Sequence, residues 1–199
     1  MDMHAPLETL RILEIGCACG ATLLEIKNRY KYSELYGIEL DENCAELCAT
    51  FADVRSMNIE NGLDFPDSYF DYVIAADVIE HLEHPWTVVA NLKRHIKQSG
   101  KLLISVPNVM HFSVLRDAIH GLWTYTDSGL LDRTHLRFFT LIELDKMLKN
   151  ATYSKCEYTA NVIPMNSEDE KWVNKFWEMS EFTTSDQFKV YQYLVKVSM

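Results

Sequence analysis

The residues able to do chemistry gather in a few places along the chain. Glu14-Ile15-Gly16-Cys17-Ala18-Cys19-Gly20 leaves a short apolar run and enters a helical one. Its glycines permit a sharp turn and a close backbone approach to a ligand. Glu39 closes the next apolar run, 23 residues after Gly16, where a carboxylate can accept hydrogen bonds from ribose hydroxyls. Candidate general bases are Asp77, Glu80, His81, His84, His111 and His135, and histidine suits the role because its ordinary pKa lies near 6.5. Arg133, His135 and Arg137 alternate. On an extended segment all three share one face, which points to an anionic or hydroxyl-rich small molecule such as a uronic acid or nucleotide sugar. A plainer reading pairs the two arginines with Asp132, Asp127 or Glu143, so that they hold their own segment. The cysteines, Cys17, Cys19, Cys44, Cys48 and Cys156, are odd in number and read as free thiols. Cys17-x-Cys19 with Cys44-x₃-Cys48 could instead supply four thiolates to zinc, although the first pair lies inside the glycine turn.

The elements that must position these groups alternate in type. Residues 10–15 read as a strand and 21–29 as a helix. A second strand spans 35–40, and Asp41 caps a helix running to 49. A weak strand covers 52–57. Residues 70–76 form a near-continuous apolar run, as in a strand buried on both faces. Pro85 opens a helix to about 97, and a strand over 102–106 ends at Pro107. Residues 108–139 read as a helix followed by an irregular lid, the expected acceptor region. Thr140-x-x-Glu143 is a capping box for the next helix. Residues 153–163 and 188–197 alternate as strands, around an acidic, Trp-rich insertion at 166–184 in which Trp172, Val173, Lys175 and Phe176 have helical spacing. Trp123, Tyr125, Phe138, Phe139, Trp172, Phe176 and Trp177 either roof a pocket or serve as core and dimer contacts. Phe112, Leu115 and Ile119 read as core. Such alternation is expected to give a single α/β domain over 1–199, with a parallel sheet closed by a final hairpin.

Composition narrows the classes. The chain has 199 residues, 48% apolar and 24% charged, with only 7 Gly and 5 Pro, an ordinary globular balance. Nineteen basic against 29 acidic residues give a net charge of −10, which disfavours nucleic acid and anionic membranes as partners. No run approaches the ~20 apolar residues of a membrane span, and residues 1–6 lack the features of a signal peptide. The expectation is a cytoplasmic protein, monomeric or homodimeric.

Two nucleotide cofactors suit the first turn. A dinucleotide wants Gly-x-Gly-x-x-Gly, but Ala18 and Ala21 stand at the second and third positions, which disfavours a dehydrogenase. S-adenosylmethionine has no phosphate and tolerates a bulkier loop, and Glu14 offers an acid for its ammonium group. Leu13-Glu14-Ile15-Gly16-Cys17-Ala18-Cys19-Gly20 resembles the first motif of class I S-adenosylmethionine-dependent methyltransferases. Residues 65–74 and Asp77-Val78-Ile79-Glu80-His81-Leu82 are similar to the family's later motifs, and 131–140 to a signature of bacterial members found near glycosyltransferases.

The resemblance spans roughly residues 10–150 and implies a Rossmann-like fold with a seven-stranded, mostly parallel sheet, helices on both faces and a C-terminal antiparallel hairpin. It implies cofactor contacts at Glu14, Gly16, Cys17, Ala18 and Gly20, ribose held by Glu39, and adenine flanked by Leu40, Asn58 and Ile59. Ala76 and Asp77 would lie beside the methionine part, and S-adenosylhomocysteine would be the product. Ubiquinone-biosynthesis and small-RNA methyltransferases carry a similar Glu-x-x-Glu-His that binds a divalent metal. That likeness implies Asp77, Glu80 and His81 as ligands for Mg²⁺, Mn²⁺ or Zn²⁺, with His135 completing the set. The plainer reading has Glu80 and His81 bracing a turn. Catalysis would rest on Asp77, His81 and His135, and acceptor binding on His111, Arg133, His135 and Arg137. The implied reaction is O-methylation of a small or saccharide acceptor, and the alternative is a catalytically silent cofactor-fold module. Relatives carry a helix before the first strand. This chain reads either as a domain of a longer protein or as one whose cover comes from 108–139 and 166–184 alone.

Overall fold

The computed structural model describes residues 9–181 and 185–199. The last three residues of the expected insertion and the whole N-terminal segment considered for a signal peptide lie outside them. Seven strands form one sheet in the order β3-β2-β1-β4-β5-β7-β6. They are β1 (Arg11–Ile15), β2 (Glu34–Glu39), β3 (Asp53–Ser56), β4 (Phe70–Ala76), β5 (Ile96–Pro107), β6 (Lys155–Val162) and β7 (Val190–Ser198). The first five pair in parallel, and β7 runs antiparallel to both β5 and β6. This is the architecture expected.

The side-chain period of two splits β1 between the two faces of the sheet. Ile12 joins Leu23, Ile26, Cys48 and Ile74 in a cluster under α1 (Ala21–Arg29) and α2 (Glu42–Cys48). Leu13 and Ile15 join a larger cluster on the other face, with Val88, Val89 and Leu92 of α3 (Pro85–His95). To it α5 (Leu141–Asn150) adds Leu144, Met147 and Leu148. Asp41 caps α2 by accepting from the Cys44 N–H. Thr140 caps α5 by accepting from the Glu143 N–H at 3.3 Å, but Glu143 turns to Lys146 at 2.7 Å and leaves the expected box half made.

Two boundaries differ from the sequence reading. Helix α3 stops at His95, because Ile96 is already extended and pairs with Phe70. The chain continues as strand through an irregularity at Gly100, where a Cβ would sit 2.9 Å from the Phe70 carbonyl oxygen. The segment after β5 also builds a satellite core. There α4 (Phe112–Ile119) packs on α6 (Ser167–Met179) through Phe112, Val173, Phe176 and Phe188, the last from the short α7 (Asp186–Lys189). Phe112 and Leu115 are packed as expected, whereas Ile119 is exposed. Trp172 and Phe176 stack in this core, Phe139 is buried in the main one, and Trp123, Tyr125 and Trp177 are exposed. Among the described residues, no helix is long and apolar enough to cross a membrane.

Candidate active site

In an open parallel sheet, a crevice forms beyond the carboxyl ends of the strands where the strand order reverses, here between β1 and β4. A cleft of about 290 Å³ lies there, lined on one side by Gly16, Glu39, Leu40, Asn58 and Ile59 and on the other by Asp77, Val78 and His81. The turn leaving β1 is shaped by two positive φ glycines. Gly16 (φ +65°) would bring a Cβ to 2.6 Å from Val78, and Gly20 (φ +84°) to 2.5 Å from the Cys48 sulfur. Ala18 holds φ +45° in the same turn, and its N–H donates to Glu39 Oε2 at 2.7 Å. The Leu40 and Asp41 N–H groups donate to Glu39 Oε1 at 2.8 and 2.9 Å. Three backbone donors thus fix the carboxylate at the lip of the cleft, beside a Leu40 side chain that is 71% exposed. An aimed carboxylate next to an uncovered apolar side chain can accept from ribose hydroxyls and pack against an adenine ring. Asn58 Oδ1 accepts from the Glu60 N–H at 2.9 Å, capping a short turn and presenting the backbone of Ile59.

Of the residues implied for the cofactor, Gly16, Glu39, Leu40, Asn58, Ile59 and Asp77 line this cleft, while Glu14, Cys17, Ala18, Gly20 and Ala76 do not. Glu14 is buried beneath the turn. Burial pushes its carboxyl up to about 7, against the opposing effect of hydrogen bonds from the Thr22 side chain and the Leu23 N–H. Glu14 Oε2 is buried with no hydrogen-bond partner. Cys17 and Cys48 are buried against each other, whereas Cys19 and Cys44 lie at the surface with sulfurs 2.7 Å apart. The four thiols thus form two pairs, and among the described residues they make no metal-ligand cluster, in keeping with the reading of free thiols.

Past β4, Asp77 adopts φ +52°. Its Oδ1 accepts from Ser105 Oγ at 3.0 Å and from Gln192 Nε2 at 2.6 Å. Glu80 is buried with neither carboxylate oxygen hydrogen-bonded. Burial, with some help from the Asp77 charge, pushes its carboxyl up to about 8. Its backbone carbonyl accepts the Leu136 and Arg137 N–H groups at 2.8 and 2.9 Å, tying that segment to the turn after β4. His81 and His135 meet edge to face, 4.8 Å between ring centres. Their Nδ1 atoms lie 3.2 Å from the Thr134 carbonyl and 3.3 Å from the Leu130 carbonyl. Donation to these carbonyls makes each Nε2 a lone-pair donor, as in metal-binding histidines. Glu80, His81 and His135 bring one ligand atom apiece within 4.8 Å of one another. Two orphaned carboxylate oxygens beside two such imidazoles fit a divalent cation. Asp77 stands outside this group, because Ser105 and Gln192 hold it.

Three acceptor-binding expectations meet different surroundings. The chain turns at 131–134 and is not an extended strand, so the period of two expected for Arg133, His135 and Arg137 does not apply. Arg133 pairs with Asp127 at 2.6 Å, and Arg137 donates to the carbonyls of Glu83 and Leu136 at 2.6 and 2.8 Å. Arg133 thus takes one of the partners the plainer reading named, Asp127, whereas Arg137 takes backbone carbonyls instead. His111 is fully buried as the N-cap of α4, with its ring against Phe112 and Tyr191, and so does not reach the cleft surface. Sequence reasoning missed Ser105, Gln192 and Asn108. Asn108 is buried and donates to the Gln187 and Val190 carbonyls at 2.7 and 2.8 Å, fixing the base of the lid to β7. The Ser105–Asp77 pairing crosses 28 residues, the Asn108 pairings 79 and 82 and the Gln192–Asp77 pairing 115, and no local spacing signals them.

Residues 4–156 match the family model described as a methyltransferase domain. The mitochondrial ubiquinone biosynthesis O-methyltransferase of Dictyostelium discoideum is 28% identical over 57% of this chain and 40% of its own length. A probable S-adenosylmethionine-dependent methyltransferase of Mycolicibacterium smegmatis is 30% identical over 71% of this chain and 51% of its own. The chain thus spans about half the length of these relatives or less. A SAM-dependent methyltransferase from Archaeoglobus fulgidus superposes over 96% of this chain and 86% of its own, with TM-score 0.66 and 20% identity. The plantazolicin methyltransferase BpumL, solved with a substrate analogue and S-adenosylhomocysteine, does so over 95% and 76%, with TM-score 0.63 and 17% identity. With its crevice at the reversal of strand order and its family model matched over most of its length, the chain belongs to the class I S-adenosylmethionine-dependent methyltransferases.

Proposed function

We propose that this domain transfers a methyl group to an oxygen of a small, hydroxyl-bearing acceptor of saccharide type, seated between the cofactor cleft and the lid of residues 108–139. The observation that carries this reading is the convergence of Glu80, His81 and His135 at the edge of the cleft. Ubiquinone biosynthesis O-methyltransferases among the relatives support the choice of oxygen. A sulfonium cofactor supplies an already activated methyl, so alignment and exclusion of water are the larger part of the protein's task. Glu39 and Leu40 orient the adenosyl end, and Asp77, held by Ser105 and Gln192, borders the end nearer the lid.

An acceptor hydroxyl needs its proton removed. His135, whose pKa is lowered chiefly by burial, is neutral at physiological pH and has Nε2 free to take that proton. Glu80, His81 and His135 would alternatively hold a divalent cation; His135 Nε2 would then be a ligand in place of the base, and the ion would supply Lewis acidity toward a hydroxyl. An ion there would ionise Glu80 and release its proton. The test is a titration of metal-stripped protein with Mg²⁺, Mn²⁺ and Zn²⁺ in weakly buffered solution, beside a screen of hydroxylated acceptors for S-adenosylhomocysteine release. Saturable binding with proton uptake by the buffer, lost in Glu80→Gln, is expected, as is turnover that falls at least 100-fold in His135→Ala. Release by His135→Ala at the wild-type rate contradicts the catalytic role, and absence of saturable binding contradicts the metal.

A further inference from the structure

Cys19 and Cys44 take no part in the chemistry above, yet their placement is specific. Cys19 belongs to the turn between β1 and α1, next to Ala18, whose N–H is bound to Glu39. Cys44 lies in the first turn of α2, with its N–H on the Asp41 cap. The two sulfurs are 2.7 Å apart, about 0.7 Å longer than a disulfide bond, and both residues are accessible to solvent. The other thiols are arranged differently. Cys17 and Cys48 are buried, and Cys156 lies far along the chain on β6. The short contact thus joins the two segments that flank the ribose carboxylate, one on each side.

We propose that Cys19 and Cys44 form a disulfide under peroxide, and that this bond weakens binding of S-adenosylmethionine by locking the turn after β1 against α2. Cys19 is the more exposed of the two and is the sulfur that meets peroxide first. Its thiolate attacks hydrogen peroxide, the O–O bond breaks, and Cys19 becomes a sulfenic acid as hydroxide leaves. Cys44 then attacks the Cys19 sulfur, its proton goes to the departing hydroxide, and the S–S bond forms. Two thiols and one peroxide give one disulfide and two waters. Closing the sulfur gap from 2.7 Å to a bond length draws the turn that carries the Ala18 donor toward α2. The donor that aims Glu39 shifts with it, and the carboxylate no longer meets the ribose hydroxyls in place.

The proposal rests on the cofactor assignment only for its consequence, because the bond itself is read by mass. The full chain is treated with a small excess of hydrogen peroxide, digested without reductant and analysed by mass spectrometry. S-adenosylmethionine affinity is measured by calorimetry before treatment, after it, and after dithiothreitol. The expected result is a Cys19–Cys44 linked peptide two hydrogens lighter than its parts, with affinity reduced at least tenfold and restored by dithiothreitol. Cys44→Ser should keep its affinity through the same treatment, and Cys156→Ser should respond as wild type. Absence of the linked peptide, or a linked protein that binds the cofactor as tightly as the reduced one, overturns the proposal. Failure of the reduced protein to bind strikes the cofactor assignment instead.

Discussion

Ala18 occupies a backbone conformation that costs an L-residue roughly 1–2 kcal/mol, and it does so at the turn that aims Glu39. Glycine would relieve that strain and forfeit part of the gain through its looser unfolded chain. Ala18→Gly is therefore expected to stabilise the protein by about 0.5–1 kcal/mol, raising the melting temperature by roughly 1–4 °C for a chain of this size; an unchanged or lower value in a thermal scan would contradict the strain. Residue types were legible in advance, and partners were not. Glu39 announced itself by ending an apolar run, as did Gly16 by following one. Arg133 and Arg137 looked alike on paper, but their fate depended on a turn at 131–134 that no periodicity reveals. Asp77 fell into the cofactor reading by its place after β4, and the groups that restrain it lie on two other strands.

At the scale of elements, α4 begins on a buried histidine. Burial, the largest influence, lowers the His111 pKa to about 4, with Asp169 opposing and Arg116 adding to it. A depressed histidine contributes stability that is full above its unfolded pKa, near 6.5, and disappears as pH falls toward 4. Between pH 7 and 4, wild type should lose about 2–3 kcal/mol more than His111→Asn, which keeps a capping oxygen but does not titrate there. Parallel losses in denaturant titrations across that range would refute this. Most elements were readable because their signals were local: Asp41 and Thr140 as caps, Pro85 as a first helical residue. The end of α3 was not, because Lys93-Arg94-His95 carries the helical pattern up to a strand whose start is set by Phe70 across the sheet. Ile119 reads as core by spacing, but α4 ends there and the satellite core stops short of it.

For the whole molecule, the alternation of strands and helices foretold the sheet, and the C-terminal run of β-patterned residues foretold its antiparallel edge. The lid's attachment was hidden, because Asn108 binds the chain around β7 and Glu80 binds 136–137 only after the sheet has brought them together. The account stands on the crevice between β1 and β4 as the seat of an adenosyl sulfonium. Its most direct test is calorimetric titration of the reduced chain, wild type and Glu39→Ala, with S-adenosylmethionine, S-adenosylhomocysteine and NAD. Hydrogen bonds to a charged carboxylate contribute about 1.5–3 kcal/mol. The account therefore predicts one saturable site for both adenosyl compounds, roughly 10- to 100-fold weaker in Glu39→Ala, and no heat with NAD; silence toward S-adenosylmethionine, or equal affinity in the two proteins, would contradict it.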